Sequence, residues 1–181
     1  DTPKGVPFIV ALGRLHTNKA FDVLITALAQ TPDVWLWIAG EGPEKENLQA
    51  LAERLAVADR VRFAGWRDDT AALYAAADIF VCPSRHEPLG NVVIEAWAQH
   101  CPVIAADASG PKALIDDGVN GSLVPMEDAK ALAKSIRRLV DDPETGKALA
   151  AAGHAAYLEA FTEQAVVQQY FGFFSSITDK T

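Results

Sequence analysis

The apolar residues of this chain fall into short continuous runs, each followed by a turn and then by a segment with helical spacing. Pro7 to Leu12 reads as a buried strand ending at Gly13. Lys19 to Gln30 then repeats apolar residues at Phe21, Leu24, Ile25 and Leu28, the stripe of an amphipathic helix. Val34 to Ala39 predicts a second strand, closed by Gly40-Glu41-Gly42-Pro43 and followed by a helix over Glu44 to Val57. The alternation continues with strand Val61 to Ala64 and helix Asp69 to Ala77, then strand Ile79 to Cys82 and helix Gly90 to His100. Val103 to Ala105 with a short helix near Ala113, and Ser122 to Val124 with a helix over Asp128 to Val140, bring the series to about six strand and helix units.

A strand that is apolar along its whole length, rather than at alternate positions, is covered on both faces. That is the mark of a parallel sheet sandwiched between helices. The expected fold is therefore α/β, a three-layer Rossmann-like domain with about six parallel strands, over residues 1–142. Residues 143–181 carry no strand pattern. They read as an Ala-rich helix to about Ala160 and then an aromatic helix with Phe161, Tyr170, Phe171, Phe173 and Phe174, together a helical C-terminal extension of the same domain. In sheets of this kind ligands occupy the crevice beyond the carboxyl ends of the strands, so the residues just after each apolar run are the candidates for chemistry.

Composition narrows the classes. With 181 residues, 50% hydrophobic and 22% charged, the chain is no disordered segment. At this length it can bury roughly 70% of its unfolded surface without metal or disulfide support. Cys82 and Cys101 sit inside apolar runs and are expected to be small core residues. No apolar run reaches the ~18 residues of a membrane helix, and the first residues lack a signal-peptide pattern, so a reducing, cytoplasmic setting is expected. The chain starts at Asp1 rather than Met, which reads as a fragment or excised domain. A formal net charge of -8 argues against nucleic acid as a partner, because phosphate contacts need clustered Lys and Arg. An anionic ligand would need a local cationic site.

One such site follows the first strand. Gly13-Arg14-Leu15-His16-Thr17-Asn18-Lys19 is a glycine turn opening a helix, and helix-start amides beside two cations suit a diphosphate. The competing reading is a loop arginine and a solvated first-turn lysine. The segment is neither a P-loop nor a complete G-x-G-x-x-G fingerprint. Gly40-Glu41-Gly42-Pro43 is either plain turn chemistry or a close approach to ligand. Trp66 of Gly65-Trp66-Arg67 either lies against a nucleobase or caps the core.

Pro83 to Trp97 carries the most information. Glu87 lies in the loop after the fourth strand, and Glu95 about one turn into the helix that begins near Gly90. Carboxylates so placed can accept hydrogen bonds from polyol hydroxyls, while the amides of Leu89, Gly90 and Asn91 face outward at a helix start that favours an anion. By spacing alone, Glu87 as a loop charge and Glu95 as a helix-surface residue would serve equally well. No Asp-x-Asp metal signature occurs: Asp68-Asp69 and Asp116-Asp117 read as a helix start and a turn, and no metal or cofactor is expected. His16 and His86 read as solvated loop residues, His100 as a C-terminal helix cap, and His154 as remote from the site.

The ordered set Gly13-Arg14 with Lys19, Ala39-Gly40-Glu41-Gly42-Pro43, Phe63-Ala64-Gly65, Ala76 to Ser84, Glu87-Pro88-Leu89-Gly90 to Glu95-Ala96, Pro102 to Ala105 and Gly118 to Pro125 resembles a known family. It is similar to the C-terminal, donor-binding domain of the family-4 retaining glycosyltransferases of GT-B fold, the glycosyl transferases group 1. The resemblance implies a catalytic set of Arg14 and Lys19 on the donor diphosphate with Glu87 on sugar hydroxyls. It implies donor binding by Gly13, Leu89, Gly90 and Asn91, with Glu95 on the ribose and Trp66 and Arg67 framing the base. It also implies a nucleotide-diphosphate sugar, UDP-linked, transferred with retention and without a metal. Leu89 stands where Phe is commoner. Ser109-Gly110-Pro111-Lys112 replaces a Gly-Gly followed by an acid, which bears on the acceptor side.

In that family the acceptor occupies a separate N-terminal domain, absent from these residues, so the chain alone is expected to be inactive. The expected partners are that domain, an unidentified acceptor and, for the full-length enzyme, a peripheral membrane surface. The tail would return toward the missing domain, with Phe171, Phe173 and Phe174 in interdomain or sheet-covering contacts. Two other readings stay open: a non-catalytic nucleotide-binding or interaction module, and a sugar-nucleotide epimerase or hydrolase of the same plan. A nicotinamide dehydrogenase is disfavoured by the incomplete glycine turn and by Glu41 lying between two glycines.

Overall fold

The structure, a computed structural model, describes residues 2–178. Asp1 and the last three positions of the expected helical tail, 179–181, lie outside the described residues. Each apolar run forms a strand: β1 (Phe8–Leu12), β2 (Trp35–Ala39), β3 (Val61–Gly65), β4 (Ile79–Cys82), β5 (Val103–Ala106) and β6 (Ser122–Val124). They make one sheet in the order β3-β2-β1-β4-β5-β6 with parallel pairing throughout, the three-layer Rossmann-like arrangement.

The strands are apolar throughout because each feeds two cores. Ile9 and Ala11 of β1 face one, while Val10 and Leu12 face the other. The first core is closed by α1 (Phe21–Leu28), α2 (Lys45–Arg54) and α6 (Ala129–Asp141). The second is closed by α3 (Thr70–Ala76), α4 (Asn91–Ala98) and the short α5 (Ser109–Leu114). Helix α7 (Pro143–Ala160) joins the layers, with Leu149 in the first core and Ala156 and Tyr157 against the second. Cys82 and Cys101 are buried free thiols, and burial pushes Cys101 up to about 12.

Two expectations need correction. The helix read from Lys19 to Gln30 is broken into a 3₁₀ turn at Thr17–Lys19 and α1, with Ala20 between them in the left-handed region at φ 51. That reversal brings the Lys19 side chain back over Gly13. Second, the aromatics of α8 (Glu163–Thr178) do not cover the sheet: Tyr170, Phe171, Phe173 and Phe174 are exposed. The sheet face is already filled by Trp97, on which Phe161 packs with ring centroids 6.4 Å apart. As expected, His100 caps the C-terminus of α4, and it does so through its backbone. It sits at φ 54 with its amide on Trp97 O at 3.1 Å, and the Cys101 amide reaches Ala96 O at 3.0 Å, a Schellman closure. Its ring stacks on His154. Among the described residues no helix is long and apolar enough to cross a membrane.

Candidate functional site

In the order β3-β2-β1-β4-β5-β6 the chain moves away from β1 in one direction and from β4 in the other. A reversal of this kind directs the search for a ligand crevice to the carboxyl edge of the sheet. The turns around it are interlocked by backbone. Gly13 N donates to Ala39 O at 3.0 Å, Gly40 N to Gly65 O at 2.7 Å and Leu15 N to Glu41 O at 2.9 Å. Gly40, at φ 141, has no room for a side chain, because a Cβ there would lie 1.9 Å from Gly13 O. Its smallness is demanded first by a neighbouring turn, although Gly40 also lines the crevice.

The crevice is a cavity of about 420 Å³ walled by Leu12, Gly13, Arg14, Ala39, Gly40, Glu41, Trp66, Arg67, Thr70, Val92 and Glu95. Residues from the three turns after β1, β2 and β3, from the start of α3 and from α4 therefore meet in one hollow. Trp66 is 79% exposed and stands at the rim, so it does not cap the core. Arg67 is held by a forked pair to Asp69, with Nε on Oδ1 at 2.7 Å. Glu95 accepts a hydrogen bond from the Tyr74 hydroxyl at 3.0 Å.

Lys19 and Glu87 form an ion pair beside this cavity. The Lys19 side chain lies across Gly13, where a Cβ would meet its Cε at 3.0 Å, so the pair and the cavity share that glycine. Glu87 is buried, with Ser84 Oγ 3.4 Å from the same carboxylate oxygen. Its carbonyl accepts from Gly110 N at 2.8 Å, and a Cβ on Gly110 would come within 2.5 Å of that carbonyl. The departure at Ser109-Gly110 thus braces the Glu87 loop from the neighbouring turn. Leu89, Gly90 and Asn91 do not line the cavity. Leu89 and Asn91 are exposed, whereas Gly90 is buried, with Gly110 and Leu114 close to where a side chain would project.

Arg85 belongs to this edge and was not singled out by the sequence. Its own amide and that of His86 donate to Asn18 O at 2.9 and 3.2 Å, joining the turns after β4 and β1. Its guanidinium donates to Thr17 O at 2.6 Å, to both oxygens of Asp22 at 2.9 and 2.7 Å, and to Glu127 beyond β6. Burial pushes the Asp22 carboxyl up, but the hydrogen bonds and charge of Arg85 outweigh it and leave it below the usual carboxylate range. Partners 63 and 42 residues away leave no local pattern to read. Tyr74 is a second omission, hidden as one aromatic in an apolar helix. Of the histidines, His16 caps the 3₁₀ turn, its Nδ1 accepting from Asn18 N at 3.3 Å, while His86 is exposed and His154 lies against Trp97 O, away from the cavity.

Comparison with known proteins bears on this geometry. The family model described as glycosyl transferases group 1 matches residues 1–156. The chain is 43% identical over 176 residues, 97% of its length, to the lipopolysaccharide core biosynthesis glycosyltransferase LpsE of Rhizobium meliloti, and covers 52% of that protein. It superposes on the crystal structure of Anabaena Alr3699/HepE in complex with UDP with a TM-score of 0.89 at 32% identity, covering 93% of this chain and 48% of that one. It shares its fold with the crystallised C-terminal domain of the group 1 protein LpcC of Francisella tularensis, at a TM-score of 0.79 and 24% identity over 88% of this chain and 90% of that one. The chain spans about half the length of the first two relatives.

Proposed function

From the premise that the chain belongs to the glycosyl transferases group 1, we propose that it is the donor-binding half of a retaining, metal-independent glycosyltransferase that uses a UDP-linked sugar. Residues 1–142 form the nucleotide-sugar-binding unit and 143–181 its helical extension, with the acceptor bound by the remainder of a longer protein. In this reading the chain alone binds donor without transferring sugar. The exposed aromatics of α8, Tyr170, Phe171 and Phe173, meet that other half.

The observation that carries the reading is the convergence of Arg14, Trp66, Arg67 and Glu95 on one cavity at the carboxyl edge, with Lys19 and Glu87 adjoining it across Gly13. Each side chain suits one part of a sugar nucleotide. Trp66 offers a flat apolar surface to a base and Glu95 an acceptor to ribose hydroxyls, while Arg14 brings a forked, permanent charge to the diphosphate. Lys19 exchanges Glu87 for a phosphate oxygen, and the released Glu87 accepts from sugar hydroxyls. Transfer expels a nucleoside diphosphate, so stabilising charge on the departing phosphate oxygen is the main electrostatic requirement, and Arg14 and Lys19 supply it. The UDP complex of HepE supports the choice of nucleotide.

Calorimetric titration with UDP tests this. The wild-type chain binds, and Arg14→Ala weakens binding by roughly tenfold to a hundredfold, the loss expected for one charge-assisted hydrogen bond. Equal affinity in the two proteins would remove Arg14 from the phosphate site.

A further inference from the structure

We propose that Tyr74 is a positioning residue for nucleoside recognition, its buried hydroxyl holding the Glu95 carboxylate in the orientation that receives ribose hydroxyls. The inference rests on the donor-binding reading above and assigns a role to a residue outside the cavity wall. Tyr74 lies on α3 and is 1% exposed, with its ring edge-on to Phe80 at 5.1 Å in the second core. Packing there requires only the ring, since a phenylalanine would fill the same space. The hydroxyl is a further, polar group carried into the core, and such a group costs free energy unless it finds a partner. Its partner is Glu95 Oε2, 3.0 Å away across the α3 to α4 contact.

Glu95 is exposed on α4 and walls the same cavity as Arg14. An untethered glutamate on a helix surface samples several rotamers, and a ligand that needs one of them must supply the ordering. A bond from an immobile phenol does that ordering in advance. It leaves acceptor capacity on the carboxylate for a diol, because an ionised carboxylate has about four lone-pair sites. The direction of the bond is settled by chemistry: burial and the Glu95 charge both push the Tyr74 phenol upward, so it stays protonated and donates.

The test is titration of wild type, Tyr74→Phe, Glu95→Ala and the double variant with UDP and with 2′,3′-dideoxyuridine diphosphate. Tyr74→Phe weakens UDP about threefold to tenfold, leaves the dideoxy nucleotide unchanged, and adds nothing in the Glu95→Ala background. Equal losses for the two nucleotides mean that the hydroxyl acts on the fold in general, and that overturns the inference, as does an unchanged UDP affinity. If wild type ignores UDP, the donor reading falls and takes this inference with it. If UDP binding depends on Arg14 but not on Tyr74, this inference alone falls. Should Tyr74→Phe not fold, a ¹³Cζ-tyrosine label in otherwise wild-type protein reads the same bond. Its Tyr74 resonance moves when Glu95 is replaced by Ala, and an unmoved resonance overturns the inference.

Discussion

Two cavities of nearly equal size lie at opposite ends of the sheet. The one at the amino ends of the strands is the larger, about 450 Å³ against about 420 Å³. It is walled mainly by Val6, Pro7, Ile79, Pro102, Leu139, Val140, Pro143 and Ala150, with Asp78, His100 and Lys147 among the polar residues. Those polar groups are already engaged: Asp78 accepts from Phe8 N at 2.8 Å, Lys147 pairs with Glu144, and His100 stacks on His154. The carboxyl-edge cavity is walled instead by side chains from turns that leave strands and enter helices. Chain direction, not volume, separates them. In a parallel sheet with helical crossovers the helix N-termini and the turns before them collect at the carboxyl edge, so side chains distant in sequence converge there. The other end receives helix C-termini and the short returns into the strands.

Substitutions can break or sharpen this contrast. The largest effect is expected from Gly40→Ala, because the new methyl collides with the Gly13 carbonyl at a backbone angle that L side chains rarely adopt. We expect a stability loss of about 3 kcal/mol or more by denaturant melting, together with loss of UDP binding. A variant that melts like wild type would mean that the turns at the carboxyl edge are not locked.

Arg85→Leu comes next. Its carboxylate partners are partly solvated, so screening limits the cost to about 1 kcal/mol near neutral pH. The pH dependence carries the sign. The folded-state pKa of Asp22 is depressed, so its part of the stabilisation is complete above the unfolded value near 4 and is lost as pH falls through the lower folded value. The stability gap between wild type and variant should therefore hold from about pH 5 to 8 and narrow below about pH 4. A gap unchanged in acid would take Asp22 out of the clamp. The smallest effect belongs to the amino-edge cavity. Val140→Ala, at a half-buried position, should cost about 1 kcal/mol or less in melting experiments and leave UDP affinity as it was. A change in UDP affinity there would dissolve the distinction between the two ends.

Much of the fold was legible because burial on two faces writes itself into sequence as unbroken apolar runs. Val103 to Ala105 is readable as a strand for that reason, and every residue of the observed strand, Val103–Ala106, is buried. The break at Ala20 was not legible, since nothing in Lys19-Ala20-Phe21 marks a left-handed residue, and its consequence, Lys19 lying over Gly13, is a contact made in the fold. Of the candidate site, Arg14, Lys19, Glu87 and Glu95 stand out because they follow strands in an order that resembles a family. Arg85 and Tyr74 did not, because what they do depends on partners brought close only by folding: Asp22 and Glu127 for the first, Glu95 for the second.

Local chemistry along the chain determined the six strands, the helices between them and the side chains waiting at the strand ends, since periodicity and turn residues act over a few positions. Tertiary structure alone decided that Lys19 and Glu87 neutralise each other, that Trp66 stands at a rim and that the α8 aromatics face outward. These are matters of distance between residues far apart in sequence, and the strand order β3-β2-β1-β4-β5-β6 sets those distances.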